Sequence, residues 1–175
     1  SERGRLEARD SVPWSVPGLD RAGRAIAFCE DLPITAGKLA GTTMWLREWQ
    51  RKFIREVYTE DDAGVRPVRT AVLSMGRKNG KTQLAAALAL CHLLGPEAEA
   101  RGEVYSCALT RDQAAKLYAE MVAMLLGHPE LDDRCNIIRH TKQIEVLTGD
   151  GTGSIYLALS ADAGSKLGLS PSFVV

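Results

Sequence analysis

A Gly-Lys-Thr tripeptide, Gly80–Thr82, stands between a short apolar run and a long segment rich in alanine and leucine. The run Val68–Met75 predicts a strand, and the segment Lys81–Leu94 predicts a helix that Gly95-Pro96 ends. A strand that turns directly into a helix can aim loop N–H groups and the positive helix N-terminus at one point in space. This arrangement predicts a phosphate-binding loop.

Each residue of the tripeptide has a physical role in such a loop. Gly80 allows close backbone approach, Lys81 would reach the β and γ phosphates of a nucleotide, and Thr82 would place its hydroxyl on Mg²⁺. The usual pattern has glycine five residues before Gly80, but Met75 stands there and the glycine follows at Gly76. An ordinary strand-to-helix turn is the alternative, and the flanking elements and the loop length favour the phosphate loop.

The loop itself carries cations and an amide, Arg77, Lys78 and Asn79. The cations could be solvated and only tune the local charge. In the functional interpretation, one of them stabilises charge that develops on the γ-phosphate during transfer. We therefore include the whole stretch from Gly76 to Thr82 in the predicted nucleotide site.

A glutamine lies upstream, in a second helical pattern at Leu46–Tyr58. A carboxamide both donates and accepts, so Gln50 could bind the edge of adenine through two hydrogen bonds. The alternative is a solvated helix residue, just as Trp49 beside it is by default a core aromatic.

The rest of the chain alternates between strand and helix patterns. A helix is predicted near Asp20–Asp31, a strand at Glu103–Leu109, and a helix from Thr110, where Gln113 completes a capping-box pattern. Strand and helix in alternation predict a parallel sheet. Three further β-prone runs and a final one predict an antiparallel excursion and a last strand: Asn136–His140, Gln143–Leu147, Ser154–Leu159 and Ser172–Val175.

Charge and composition limit the class of protein only mildly. The 175 residues have a net charge of zero, so the chain as a whole lacks the basic character of many DNA-binding proteins. One basic cluster could be a solvated face or a local DNA contact: Arg134, Arg139, His140 and Lys142. The four cysteines have no C-x-x-C spacing, which predicts reduced thiols and no zinc site, and no apolar run is long enough to suggest a membrane span.

Several stretches together resemble the terminase large subunit family of tailed phages. They are L-R-E-W-Q at 46–50, M-G-R-K-N-G-K-T at 75–82 and A-L-T-R-D-Q-A at 108–114, with supporting stretches at 25–41 and 166–175. The resemblance extends from about Val12 to the last residue. It implies an α/β fold of the additional-strand, RecA-like P-loop class, a three-layer α/β/α arrangement with a mainly parallel sheet and an antiparallel hairpin excursion.

By this resemblance, Gln50 corresponds to the adenine-contacting glutamine, Lys81 and Thr82 to the Walker A pair, and Arg77 to the catalytic arginine of that motif. ATP and Mg²⁺ are the implied cofactors. The implied partners are double-stranded viral DNA, the portal protein, the small terminase subunit and further copies in a ring. The implied location is the host cytoplasm, at the portal vertex of the procapsid, with no membrane.

The resemblance also implies a division of the chain and of the whole protein. Residues 1–45 would be an N-terminal arm with a lead-in helix and loop, and residues 46–175 part of the ATPase domain. In the family, strand 173–175 leads into a Walker B acidic pair, and an RNase H-like nuclease domain follows. We therefore expect this chain alone to bind nucleotide weakly or not at all, and not to hydrolyse it. Asp162 could be proposed as a substitute carboxylate, but the sequence places it in a loop.

Two other functions remain open from the sequence. A superfamily-2 helicase also pairs an upstream glutamine with a phosphate loop, although helicases usually have Thr-Gly or Ser-Gly where this loop has Lys78-Asn79. A nucleotide-binding assembly module without turnover is the third possibility, and it would lack the acidic pair.

Overall fold

The computed structural model describes residues 12–160 and 169–175. Within those residues a short 3-10 turn at Pro13–Ser15 precedes the other elements. The helices are α1 (Arg21–Asp31), α2 (Glu48–Val57), α3 (Lys81–Leu94), α4 (Arg111–Leu126) and α5 (Pro129–Asp132). The strands are β1 (Glu103–Ala108), β2 (Cys135–Ile138), β3 (Gln143–Val146), β4 (Ile155–Ser160) and β5 (Phe173–Val174). Each predicted helix is confirmed, and the short helix α5 was not predicted.

The strands form one mixed sheet in the order β2-β3-β4-β1-β5. Strand β1 is parallel to β4 and to β5, whereas β2 with β3 and β3 with β4 are antiparallel. The antiparallel excursion and the final strand are therefore confirmed. The sheet is not mainly parallel among the described strands, because two of its four pairings are parallel and two are antiparallel.

The strand predicted at Val68–Met75 is wrong. The chain there has no regular secondary structure, and Val72 is 87% exposed. A cleft of about 710 Å³, lined by residues of this segment and by Phe173 and Val174, separates it from β5. Since β propensity reflects packing beside neighbouring strands, an apolar run without a ladder partner does not form a strand.

Helices α3 and α4 cover one face of the sheet. They contact each other and both contact β1, and their buried side chains share one core with Val104, Ile144 and Tyr156 of the strands. Helix α1 packs on α3 from outside, so ten of the residues of α3 are buried. A helix surrounded in this way is apolar on all sides, which explains its alanine- and leucine-rich sequence. The third layer of the predicted arrangement is not seen in residues 12–160 and 169–175.

Two helix starts have side-chain caps, of which the one at Thr110 was predicted and the one at Asp20 was not. The Asp20 carboxylate accepts a hydrogen bond from the Gly23 N–H at 2.6 Å, and the Thr110 hydroxyl accepts one from the Gln113 N–H at 3.3 Å. Side chains that accept from the first turn satisfy N–H groups that have no partner within the helix. Helix α3 begins without such a side chain, so the N–H groups of its first turn have no side-chain acceptor.

Gly151, in the turn between β3 and β4, should tolerate no side chain. Its φ is +75°, and a Cβ there would lie 2.2 Å from the Leu93 carbonyl oxygen at the end of α3. We expect Gly151→Ala to lower the free energy of unfolding by about 2–5 kcal/mol, measured by urea denaturation. Gly64→Ala is the control, because Gly64 has a φ of +73° with nothing near its Cβ position. Equal losses in the two variants would contradict the steric explanation.

Candidate nucleotide-binding site

The backbone between Gly76 and Lys81 forms a tight turn with two residues in the left-handed region. Lys78 has a φ of 64° and Gly80 a φ of 76°. Left-handed residues within a turn bring successive N–H groups toward one side, which creates a concave site for an anion. The Asn79 amide spans the turn, donating to the carbonyl oxygens of Gly76 at 3.3 Å and Arg77 at 3.4 Å. Asn79 therefore holds the loop in shape.

The N-terminus of α3 directly continues this turn. No side chain caps it, and the Leu84 N–H makes the first helical hydrogen bond, to the Gly80 carbonyl oxygen at 3.0 Å. The N–H groups of Lys81 and Thr82 precede that bond and have no acceptor within the helix. Together with the helix dipole they favour an anion at this position. The Thr82 side chain is exposed on the same first turn.

Lys81 has its ammonium group turned back over the loop. It is half-buried and donates a hydrogen bond to the Met75 carbonyl oxygen. Among the residues that the structure describes, no carboxylate forms an ion pair with it. Its charge is therefore not neutralised by the described part of the chain, and a phosphate group would compete with a single carbonyl oxygen for it.

Gln50 lies against the same loop, although thirty residues separate it from Gly80 in the sequence. Its side chain is buried, with 7% exposed. The amide nitrogen Nε2 lies 3.6 Å from the position that a Cβ on Gly80 would take. The fold thus brings together the two features that the sequence identified separately, and it rejects the solvated alternative for Gln50.

The remaining predicted site residues take different positions around the loop. Arg77 and Lys78 are exposed within the loop. Asp162 lies outside the described residues. In the described part of the chain, no cluster of three histidine, cysteine or acidic residues could hold a metal ion. The Thr82 hydroxyl as a Mg²⁺ contact stays a prediction.

A buried polar contact that the sequence did not reveal joins the far ends of α2 and α3. The Tyr58 hydroxyl, at the end of α2, lies 2.8 Å from Nε2 of His92 in α3. The His92 ring stacks on Phe173 of β5 with centroids 4.0 Å apart, and the Arg66 guanidinium lies over the Tyr58 ring. In the sequence, the only sign of this contact was a single histidine within the apolar part of the helix. This contact and the Gln50–Gly80 contact together fix α2 relative to the loop.

His92 should make stability depend on pH. Burial, followed by the charges of Arg66 and Arg21, lowers the pKa of His92 from 6.5 to about 3. Between about pH 7 and about pH 5.5, the unfolded chain therefore takes up a proton at this site that the folded chain does not. The free energy of unfolding should fall by about 1 kcal/mol over this range.

Urea unfolding at both pH values measures this effect. The His92→Gln variant is the control, because glutamine does not titrate and the other groups contribute equally in both proteins. The wild-type loss should exceed the loss in the variant by about 1 kcal/mol. The same pH dependence in both proteins would show that His92 is not held neutral.

The basic residues near the hairpins do not form one cluster, because they lie in two different environments. Arg134 donates to the carbonyl oxygens of Leu94 at 3.0 Å and Asp150 at 2.8 Å, so it connects the end of α3 with the β3–β4 turn. Arg139 and His140 are exposed in the β2–β3 turn. Arg134 therefore has a structural role, in contrast to the solvated or DNA-contacting roles considered from the sequence.

No described helix is both long and apolar enough to cross a lipid bilayer. The thiols of Cys29 and Cys91 are buried, Cys135 is partly buried, and Cys107 is exposed, all four without a disulfide.

Comparison with known proteins identifies relatives of the chain. The family model for the terminase large subunit, ATPase domain, matches residues 48–175. The large terminase subunit of Enterobacteria phage HK97 is 39% identical over 158 residues, which are 90% of this chain and 30% of that protein. The crystal structure of the HK97 bacteriophage large terminase matches with a TM-score of 0.76 and 36% identity, covering 89% of this chain and 30% of that one.

The match includes both parts of the candidate site, since Gln50 and the loop up to Thr82 lie within residues 48–175. The chain spans about 30% of the length of the HK97 relative. The similarity in sequence and in fold agree, and the family model covers well over half of the chain. The chain belongs to the terminase large subunit family, in the region that forms its ATPase domain.

Proposed function

We propose that the loop Gly76–Thr82 binds the phosphates of ATP, and that the chain provides the ATP-binding part of a DNA-packaging motor. The observation that carries this proposal is the turn itself. Left-handed Lys78 and Gly80 shape it, the uncapped N-terminus of α3 continues it, and Lys81 lies over it without a carboxylate partner in the described residues.

We assign the roles of the loop residues from this geometry together with the resemblance to the family. The free N–H groups of the turn and of the first turn of α3 would bind phosphate oxygens, and the Lys81 ammonium would move from the Met75 carbonyl oxygen to the β and γ phosphates. The Thr82 hydroxyl would hold Mg²⁺, which, when bound, neutralises charge that develops during phosphoryl transfer. Arg77, exposed within the loop, would contact the γ-phosphate as its charge redistributes.

The fold supports a RecA-like P-loop class as a proposal. Parallel strands β4, β1 and β5 lie beside each other, and helix α3 begins directly at the loop. We also propose the division into an arm, residues 1–45, and an ATPase region, residues 46–175. The family model begins close to that boundary, at residue 48.

The wider role belongs to the whole protein rather than to this chain. Family membership supports double-stranded viral DNA, the portal protein and the small terminase subunit as partners, with several copies in a ring at the portal vertex in the host cytoplasm. We also propose, from the resemblance to the family, an endonuclease domain in the complete protein. The family match favours this role over that of a helicase, and ATP turnover would exclude an assembly module without catalysis.

Nucleotide selectivity tests the proposed site. In a protein that contains this chain and the Walker B carboxylates, Mg²⁺-dependent hydrolysis should prefer ATP to GTP. Because Gln50 offers one donor and one acceptor, Gln50→Ala should reduce this preference by about tenfold. The ratio of kcat/KM for ATP and GTP measures the effect.

The Gln50→Glu variant is the matched control, because its carboxylate can still accept from the Arg47 N–H but cannot donate to adenine N7. Adenine and guanine both present N7 as an acceptor. This variant should therefore weaken binding of both nucleotides and keep the preference for ATP, because its oxygen still faces the N6 donor of adenine or the O6 acceptor of guanine. A wild-type protein that hydrolyses ATP and GTP equally would remove the assigned role of Gln50, and one that hydrolyses neither would contradict the proposed function.

A further inference from the structure

The Gln50 carboxamide is held in one orientation by the backbone of its own helix. Its oxygen Oε1 accepts a hydrogen bond from the Arg47 N–H at 2.8 Å. In return, the Gln50 N–H donates to the Arg47 carbonyl oxygen at 3.0 Å. Arg47 is the residue that precedes the first turn of α2, so its N–H has no role in the helical ladder.

This bond determines which end of the amide faces the loop. An N–H group can only donate, so the atom opposite the Arg47 N–H must be the carbonyl oxygen and not the NH₂ group. The nitrogen Nε2 therefore points elsewhere, and it lies beside Gly80. If the amide rotated by half a turn, two donors would face each other in a side chain that is 7% exposed, which is unfavourable.

We propose that the backbone N–H of Arg47 is a positioning group that fixes the polarity of Gln50 and thereby sets the base selectivity of the site. This proposal rests on the proposed function, in which Gln50 contacts the base. It assigns a role to the N–H of Arg47 and none to its exposed side chain.

The chemistry of the purine edges explains why polarity matters. Adenine presents the N7 acceptor and the N6 donor, whereas guanine presents the N7 and O6 acceptors. A carbonyl oxygen has two lone pairs, so Oε1 can accept from the Arg47 N–H and from adenine N6 at the same time, while Nε2 donates to N7. Against guanine, a fixed Oε1 would face O6, and two acceptors would meet.

An amide that is free to rotate would discriminate less. It could turn its NH₂ group toward guanine O6 and recover one hydrogen bond. Loss of the Arg47 N–H should therefore raise the relative affinity for GTP without removing the contacts to phosphate, because the loop residues 76–82 stay unchanged.

Proline at position 47 removes only this donor from the backbone. Arg47 has φ of −68° and ψ of 158°, which proline adopts readily. The matched control is Arg47→Ala, which removes the same side chain and keeps the N–H. Gln50→Ala gives the ratio of GTP and ATP affinities that is expected when the side chain at position 50 makes no contact with the base. All are compared in a protein that contains this chain and the Walker B carboxylates.

The measurement is the ratio of the dissociation constants of non-hydrolysable GTP and ATP analogues, by isothermal titration with Mg²⁺. Arg47→Ala should keep the wild-type ratio. Arg47→Pro should lower the ratio by about fivefold, the effect of one hydrogen bond, toward that of Gln50→Ala. If circular dichroism shows that Arg47→Pro does not fold, an α-hydroxy acid at position 47 replaces the N–H by an ester oxygen and should give the same decrease.

The outcomes separate the inference from the proposed function. A wild-type ratio in Arg47→Pro or in the ester, with a lowered ratio in Gln50→Ala, would overturn the positioning role and leave Gln50 as a base contact. An equal decrease in Arg47→Ala and Arg47→Pro would assign the effect to the side chain and also overturn it. A wild-type protein without any preference would overturn the role of Gln50 in the proposed function together with this inference.

Discussion

Replacing Arg77 with alanine is expected to slow ATP hydrolysis by about 10³-fold, in a protein that contains this chain and the Walker B carboxylates. Arg77 is an exposed residue of the loop. In its proposed role, the Arg77 guanidinium interacts most strongly with charge that develops on the γ-phosphate in the transition state. Groups that act only in the transition state change kcat and leave ground-state affinity nearly constant.

Two measurements on the same protein test this expectation. Steady-state phosphate release gives kcat, and titration with a non-hydrolysable ATP analogue gives the affinity, which should change little. Arg55→Ala is the control, because Arg55 is an exposed arginine near the end of α2. Near-normal turnover in Arg77→Ala would show that Arg77 has no catalytic role and is only a solvated side chain.

Replacing Lys81 with alanine is expected to lower nucleotide affinity by a factor of between ten and more than a hundred. The variant loses a charge-assisted hydrogen bond to phosphate, worth roughly 1.5–3 kcal/mol. The Lys81 ammonium already donates to the Met75 carbonyl oxygen. When the nucleotide binds, a charged phosphate oxygen replaces this neutral acceptor. The net effect should therefore lie below the full strength of an isolated ion pair.

Isothermal titration with an ATP analogue measures this loss. Lys116→Ala is the control, since Lys116 is an exposed lysine on α4 and its removal should leave the affinity as it is. Circular dichroism must show that Lys81→Ala is folded. Unchanged affinity in the folded variant would be incompatible with a phosphate-binding role for Lys81.

The sequence predicted the elements whose signals are local. The bounds of α3 follow from Gly80 and from Gly95 at its two ends, and the capping pattern at Thr110 marked the start of α4 correctly. The turn between β3 and β4 was also predicted, because its glycines adopt the left-handed backbone that such turns need.

The errors and omissions concern contacts between distant parts of the chain. The apolar run before the loop has no strand partner in the described residues, so its β propensity alone misled the prediction. The Tyr58–His92 contact joins residues 34 positions apart, and no periodicity reveals such a pair. The sequence placed Gln50 in the candidate site, but only the fold shows that its oxygen is held by the Arg47 N–H.

Arg134 illustrates the same limit of sequence patterns. Its neighbours in sequence suggested a basic patch, yet its guanidinium binds backbone carbonyl oxygens at the end of α3 and in the β3–β4 turn. The capacity of arginine to donate several hydrogen bonds in one plane suits it to this purpose. Charge clusters in a sequence therefore need the fold before they indicate a binding surface.

The most direct test of the central claim is a crystal structure of a protein containing this chain and the Walker B carboxylates, with Mg²⁺ and a non-hydrolysable ATP analogue. We expect the β and γ phosphates to lie in the turn Gly76–Thr82, with the Lys81 ammonium moved from the Met75 carbonyl oxygen to a phosphate oxygen. The Thr82 hydroxyl should contact Mg²⁺. A bound nucleotide whose phosphates lie away from this turn, with Lys81 still on the Met75 carbonyl, would contradict the assignment of the loop.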